Sequence, residues 1–153
     1  MGKAMERAAD DAQRSGVVIV SSLASDAHTW NLVYLQLLLE ERGFQVMNLG
    51  ACVPDELLVA ECLDRAPDLV VISSVNGHGY QDGLRVIAQL CRCPALTRTR
   101  TVIGGKLGIS GVRDGLRANR LLDAGFDAVF PDGPDTVSEF ERYLSHVFEQ
   151  VAS

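Results

Sequence analysis

The sequence predicts an α/β domain built on one doubly wound, five-stranded parallel sheet, strand order 2-1-3-4-5, flanked by helices. Three observations predict it. Short, apolar, β-branched runs alternate with amphipathic stretches, as strands buried on both faces alternate with the helices that cover them. Gly43 and Gly125 stand where a helix needs a left-handed residue before the chain turns into the next strand. Parallel crossovers are right-handed almost without exception, so five such units wind onto both faces of one sheet, most often in this order.

The elements follow in turn. Strands are expected over Gly16–Ser22, Phe44–Leu49, Leu69–Ser73, Arg100–Ile103 and Ala128–Phe130. Helices are expected over Thr29–Arg42, Pro54–Arg65, Tyr80–Cys91, Val112–Ala124 and Asp135–Val151. Pro54, Asp55 and Glu56 place a fixed φ and two acids in a first turn, where unpaired N–H groups and the positive dipole end favour them. In the last helix Val137, Phe140, Leu144, Val147 and Val151 fall on one face, which reads as core contact. Trp30 and Tyr34 are expected to pack on the sheet or on a ligand slot, and His146 to be partly exposed. The basic stretch from Cys91 to Arg100, with Arg92 and Arg98, reads as a solvated loop, with phosphate or partner contact as the alternative. Residues 1–15 are read as a flexible or helical extension and residues 16–153 as the domain.

The length, 153 residues, suits one domain with a core of its own, and 47% apolar against 22% charged residues is ordinary globular composition. A formal charge of −6 has the wrong sign for a phosphate backbone or an anionic membrane, which argues against nucleic acid and membrane partners. Without a long apolar run or an apolar core in the first fifteen residues, the expected compartment is the cytoplasm. Cys52, Cys62, Cys91 and Cys93 form no Cys-x-x-Cys pair and read as reduced thiols.

Ligands of such sheets sit beyond the carboxyl ends of the strands, where the winding reverses. Those ends hold Ser25-Asp26-Ala27-His28, Ser73-Ser74-Val75-Asn76-Gly77 and Gly104-Gly105. The third strand closes on serines and not on the aspartate of a phosphate-accepting receiver. Gly105-Lys106 lacks the Ser or Thr of a Walker loop, and neither a dinucleotide glycine fingerprint nor a Gly-x-Ser-x-Gly elbow is present. Asp26-x-His28 remains. An aspartate two residues ahead of a histidine can accept one imidazole N–H, set the tautomer and make the other nitrogen a better metal ligand. The alternative is that Asp26 caps a helix and His28 is exposed in its first turn. His78 has no acid at neighbouring spacing and is assigned no role.

Asp26-x-His28, Ser73-x-Val75 forty-five positions after the histidine, and Gly104-Gly105 together resemble the Asp-x-His-x-x-Gly, Ser-x-Leu and Gly-Gly signature of cobalamin-binding domains. Ser25–His28, Gly43–Gly50, Pro54–Leu57 and Ser73–Gly79 are more specifically similar to the small subunit of glutamate mutase (methylaspartate mutase). The resemblance implies a flavodoxin-like, Rossmann-like cobalamin-binding fold, with His28 as the lower axial ligand of cobalt in place of the dimethylbenzimidazole base. Asp26 would hydrogen-bond behind it, Ser73 would face the displaced base, and Gly104 and Gly105 would let the backbone approach the nucleotide tail. Two positions depart from the signature: Asn31 replaces its glycine, adding a side chain where the tail would pass, and Val75 replaces its leucine.

By this resemblance the chain carries adenosylcobalamin, is inactive alone, and contributes no catalytic residue. A separate, large barrel-type subunit would hold glutamate for conversion to 3-methylaspartate. The alternatives are a methyl-carrying corrinoid protein, disfavoured by the roughly fifteen residues ahead of the first strand where such carriers have a helical cap, and a non-enzymatic regulatory module, for which Asn31 speaks.

Overall fold

A computed structural model describes residues 16–22, 30–74, 79–105, 114–131 and 135–149. Its five strands are β1 (Val17–Ser22), β2 (Gln45–Gly50), β3 (Leu69–Ser74), β4 (Arg100–Gly105) and β5 (Ala128–Pro131), all parallel and ordered β2-β1-β3-β4-β5. The helices are α1 (Trp30–Glu41), α2 (Asp55–Arg65), α3 (Gly79–Cys91), α4 (Asp114–Ala124) and α5 (Thr136–Leu144). The topology is the one expected from the sequence.

Side chains alternate across the sheet and so divide the core in two. Ile19, Val70, Ile72 and Ile103 face α2, α3 and α4, meeting Leu58, Cys62, Val86, Ile87 and Leu121. Val18, Val20, Leu69, Val71 and Val102 face α1 and α5, meeting Leu32, Leu39, Phe140 and Leu144. Each fully buried Leu or Ile contributes about 1.5–3 kcal/mol relative to exposure. Arg42, just beyond α1, donates to Glu141 of α5 at 3.2 Å and to the Ser145 hydroxyl at 3.3 Å, tying the two helices on that face together. On the opposite face, buried Asp55 accepts from Arg85 Nε at 2.6 Å and Gln89 Nε2 at 3.0 Å, joining α2 to α3. Arg85 also donates to Asp82 at 2.9 Å, and the two carboxylates raise its pKa above the ordinary guanidinium value.

Gly43 and Gly125 do take positive φ, +92° and +135°. At Gly125 a Cβ would lie 2.6 Å from Cys91 Sγ, so both backbone and packing require glycine. Several expectations need correction. Pro54 precedes α2 as its N-cap instead of lying inside it. The stretch 91–100 is not all loop: Pro94–Leu96 forms a 3-10 turn that buries Leu96, while Arg92, Arg98 and Arg100 are exposed as a solvated segment would be. The last helix is not continuous: α5 ends at Leu144 and a π-helical turn, Ser145–Glu149, follows. Val137 is 39% exposed and leaves the apolar stripe, whereas Phe140 and Leu144 are buried. Val151 lies outside the described residues. Tyr34 is 48% exposed and so is not packed into the sheet, and the Trp30 side chain lies outside the described residues. His146 is exposed.

The thiols are free: Cys52 and Cys91 exposed, Cys93 half-buried and Cys62 buried. Burial first, then the neighbouring Cys93 and Glu61, push the Cys62 thiol up to about 12. Its neutral form therefore supports the fold fully below the ordinary thiol pKa of 9.0, and that support is lost as pH rises toward 12. Iodoacetamide at pH 8 should label Cys52 and Cys91 in the native protein and spare Cys62, as read by peptide mass spectrometry. Equal labelling of Cys62 and Cys91 would contradict this packing.

Candidate functional site

The carboxyl ends of β1, β3 and β4 align in register. Ser22 pairs with Ser73, and Ser73 pairs with Gly104, giving one row across the three central strands. Ser22 continues the alternation of Val18 and Val20, Ser73 that of Leu69 and Val71, and Gly104 that of Val102. All three therefore belong to the face roofed by α1 and α5.

Ser22 is 1% exposed and donates its hydroxyl to the Gly50 carbonyl at 3.1 Å, fastening β1 to β2. The β1–β2 register shifts between Val20 and Ser21, where Leu49 is the extra residue on β2. Ser73 is 6% exposed, a polar side chain nearly enclosed at the end of β3.

At Gly104 a Cβ would stand 3.1 Å from the Phe130 carbonyl oxygen and 3.3 Å from Phe130 Cβ. Glycine thus keeps this end of the row low and lets β5 lie close. The Phe130 ring stands edge-on to Phe140 at 5.4 Å and to Tyr143 at 5.7 Å, forming an aromatic wall beside the row. Gly105, one step on, adopts φ +99°, where an L side chain is strained. Gly105→Ala should cost about 1 kcal/mol or more of stability, seen as a lower urea midpoint at unchanged slope. An unchanged midpoint would show that the turn does not need glycine.

Of the residues singled out from sequence, the structure brings Ser73 and Gly104 together, with Gly105 adjoining. Asn31 lies in the first turn of α1, on the same face of the sheet; its side chain, like Asp26, His28, Val75 and His78, lies outside the described residues. Sequence reasoning missed Ser22 and Phe130. A serine pair closing β1 was a visible signal; the Phe130 contact arises only from strand pairing.

A five-stranded doubly wound sheet with a row of serines and glycine at its switch point defines a ligand-carrying domain, and the chain belongs to the B12 binding domain family, whose model matches residues 16–141. Within that class it is homologous to glutamate mutase sigma subunits. It is 34% identical over 113 residues to that of Halobacterium salinarum, covering 74% of each chain. With that of Fusobacterium nucleatum the identity is 29% over 116 residues, 76% of this chain and 85% of the relative. Among solved structures, a cobalamin-binding protein from Desulfitobacterium hafniense superposes with a TM-score of 0.67 at 20% identity, over 86% of this chain and 60% of that one. Among the described residues, no helix is long and apolar enough to cross a membrane.

Proposed function

We propose that this chain is the cofactor-carrying subunit of an adenosylcobalamin-dependent carbon-skeleton mutase, acting in the cytoplasm with a separate large barrel-type subunit that holds glutamate for conversion to 3-methylaspartate. The observation that carries the reading is the buried Ser73 set in register beside Gly104 at the switch point, on the face roofed by α1. That is a polar contact next to a surface with no side chain, and it suits a nucleotide tail lying between sheet and helix. The similarity to sigma subunits supports the mutase reading over a methyl-carrying corrinoid protein.

In this reading, bound adenosylcobalamin supplies a cobalt–carbon bond that can cleave to a radical. Residues of this chain would hold the group. His28 would give an imidazole nitrogen to cobalt, and Asp26 would hold its other N–H, fixing the tautomer and increasing basicity. Ser73 would hydrogen-bond to the displaced base, and Gly104 and Gly105 would admit the tail. Asn31 and Val75, the two positions that depart from the family signature, would border the tail. Residues 16–153 form the carrying domain and residues 1–15 an extension to it.

The test is an absorbance spectrum of the purified chain after incubation with adenosylcobalamin and desalting. The expected result is retained corrinoid with its own base displaced. Complete loss of corrinoid on desalting would overturn the reading in favour of a regulatory module that no longer binds cofactor.

A further inference from the structure

The first turn of α3 and the first two turns of α4 build a second site, away from the Ser73 row and on the opposite face of the sheet. Tyr80 of α3 and Leu116, Arg117 and Arg120 of α4 line a cavity of about 220 Å³. The Arg117 guanidinium carbon sits 5.7 Å from the centre of the Tyr80 ring, and Arg120 Nη1 lies 3.5 Å from the Tyr80 hydroxyl. Arg117 Nη1 is shielded from solvent and has no hydrogen-bond partner. Among the described residues neither arginine is paired with a carboxylate, unlike Arg42, Arg65 and Arg85. Two guanidinium groups that no described carboxylate neutralises, one with a buried donor that has no partner, thus converge beside an aromatic ring in a chain whose net charge is −6.

We infer that Arg117, Arg120 and Tyr80 form a docking site for an acidic side chain presented by the catalytic partner subunit. The geometry favours a planar carboxylate: a guanidinium already stacked on Tyr80 offers its donors in a fixed fork and loses little freedom on pairing. The surroundings favour a protein carboxylate over a free small acid. Leu116 is 56% exposed next to the arginines, and apolar, aromatic and arginine side chains together are the composition of interface anchors. A free anion against the exposed Arg120 would compete poorly with water and salt. Both helices start at the carboxyl edge of the sheet, the edge from which a substrate-holding partner must approach the cofactor. The inference rests on the proposed function and names how that partner is held.

Arg117→Ala and Arg120→Glu, singly and together, test it against the glutamate mutase large subunit from the same source. Association is read by titrating the immobilised large subunit at rising sodium chloride, and corrinoid retention is read separately by absorbance. The expected result is association at least tenfold weaker in the double variant with a flatter salt dependence, at unchanged corrinoid retention. Arg117→Ala should melt close to wild type, since loss of the contact with Tyr80 is offset by removal of a buried donor that no described residue satisfies; a clearly lower melting temperature together with unchanged association would make Arg117 a structural residue and overturn the proposal. Unchanged association of the double variant would overturn the docking site and leave the cofactor-carrying reading intact. Stabilisation of the wild-type chain by free glutamate, lost in the double variant, would assign the site to a small acid instead. Failure of the wild-type chain to bind the large subunit would overturn both.

Discussion

His28→Gly should leave the domain folded and strip it of cofactor. Far-UV circular dichroism and the melting transition are expected to overlay those of the wild type, because the substitution leaves every apolar residue of both core halves in place. Equilibrium dialysis should show cobalamin affinity reduced at least tenfold, since groups supporting a metal ligand already matter by ten- to a hundredfold and the ligand itself matters more. Asp26→Asn should give a smaller loss of the same kind: the amide accepts less strongly and leaves the imidazole a poorer donor to cobalt. Undiminished affinity in His28→Gly would remove the histidine from the metal.

The second large effect concerns turnover. The purified chain, saturated with adenosylcobalamin, should show no conversion of glutamate to 3-methylaspartate, and activity should appear on adding the large subunit and saturate at a fixed ratio of the two. The physical reason is division of labour: one domain offers a ligand from below the corrin, while orientation of substrate and exclusion of water above it need a second surface. Measurable turnover by the single chain would refute this division.

The sheet was legible because parallel strands are buried on both faces. Runs such as Val17–Val20 and Leu69–Ile72 therefore read as continuous apolar β-branched segments, and Gly43 and Gly125 marked the turns into them. Helix α1 was legible by position more than by pattern: it is apolar on its outer side too, leaving Val33, Tyr34 and Leu37 exposed, so period alone did not say which way Tyr34 would point. The Pro94–Leu96 turn spans too few residues to show a period. The break after Leu144 was hidden because Val147 and Val151 continue the helical spacing that the backbone abandons.

At the site, Ser73 and Gly104 could be found because each closes its strand. Their register with Ser22 and the wall formed by Phe130 depend on strand pairing, which no local pattern encodes. The Arg117, Arg120 and Tyr80 grouping was invisible for a similar reason: Tyr80 lies 37 positions or more from both arginines along the chain, and only the packing of α3 against α4 joins them. The Asp55–Arg85 pair, thirty residues apart, belongs to the same class of contact.

The central claim is that an imidazole from this chain replaces the cofactor's own base on cobalt. Electron paramagnetic resonance of the cob(II)alamin complex tests it most directly, using protein labelled with nitrogen-15 in histidine. If His28 coordinates cobalt, each cobalt line should change from the triplet of a nitrogen-14 ligand to a doublet in the labelled protein, and the change should vanish in His28→Gly. A triplet that persists in the labelled protein would mean that the dimethylbenzimidazole base is still bound, and would contradict the account.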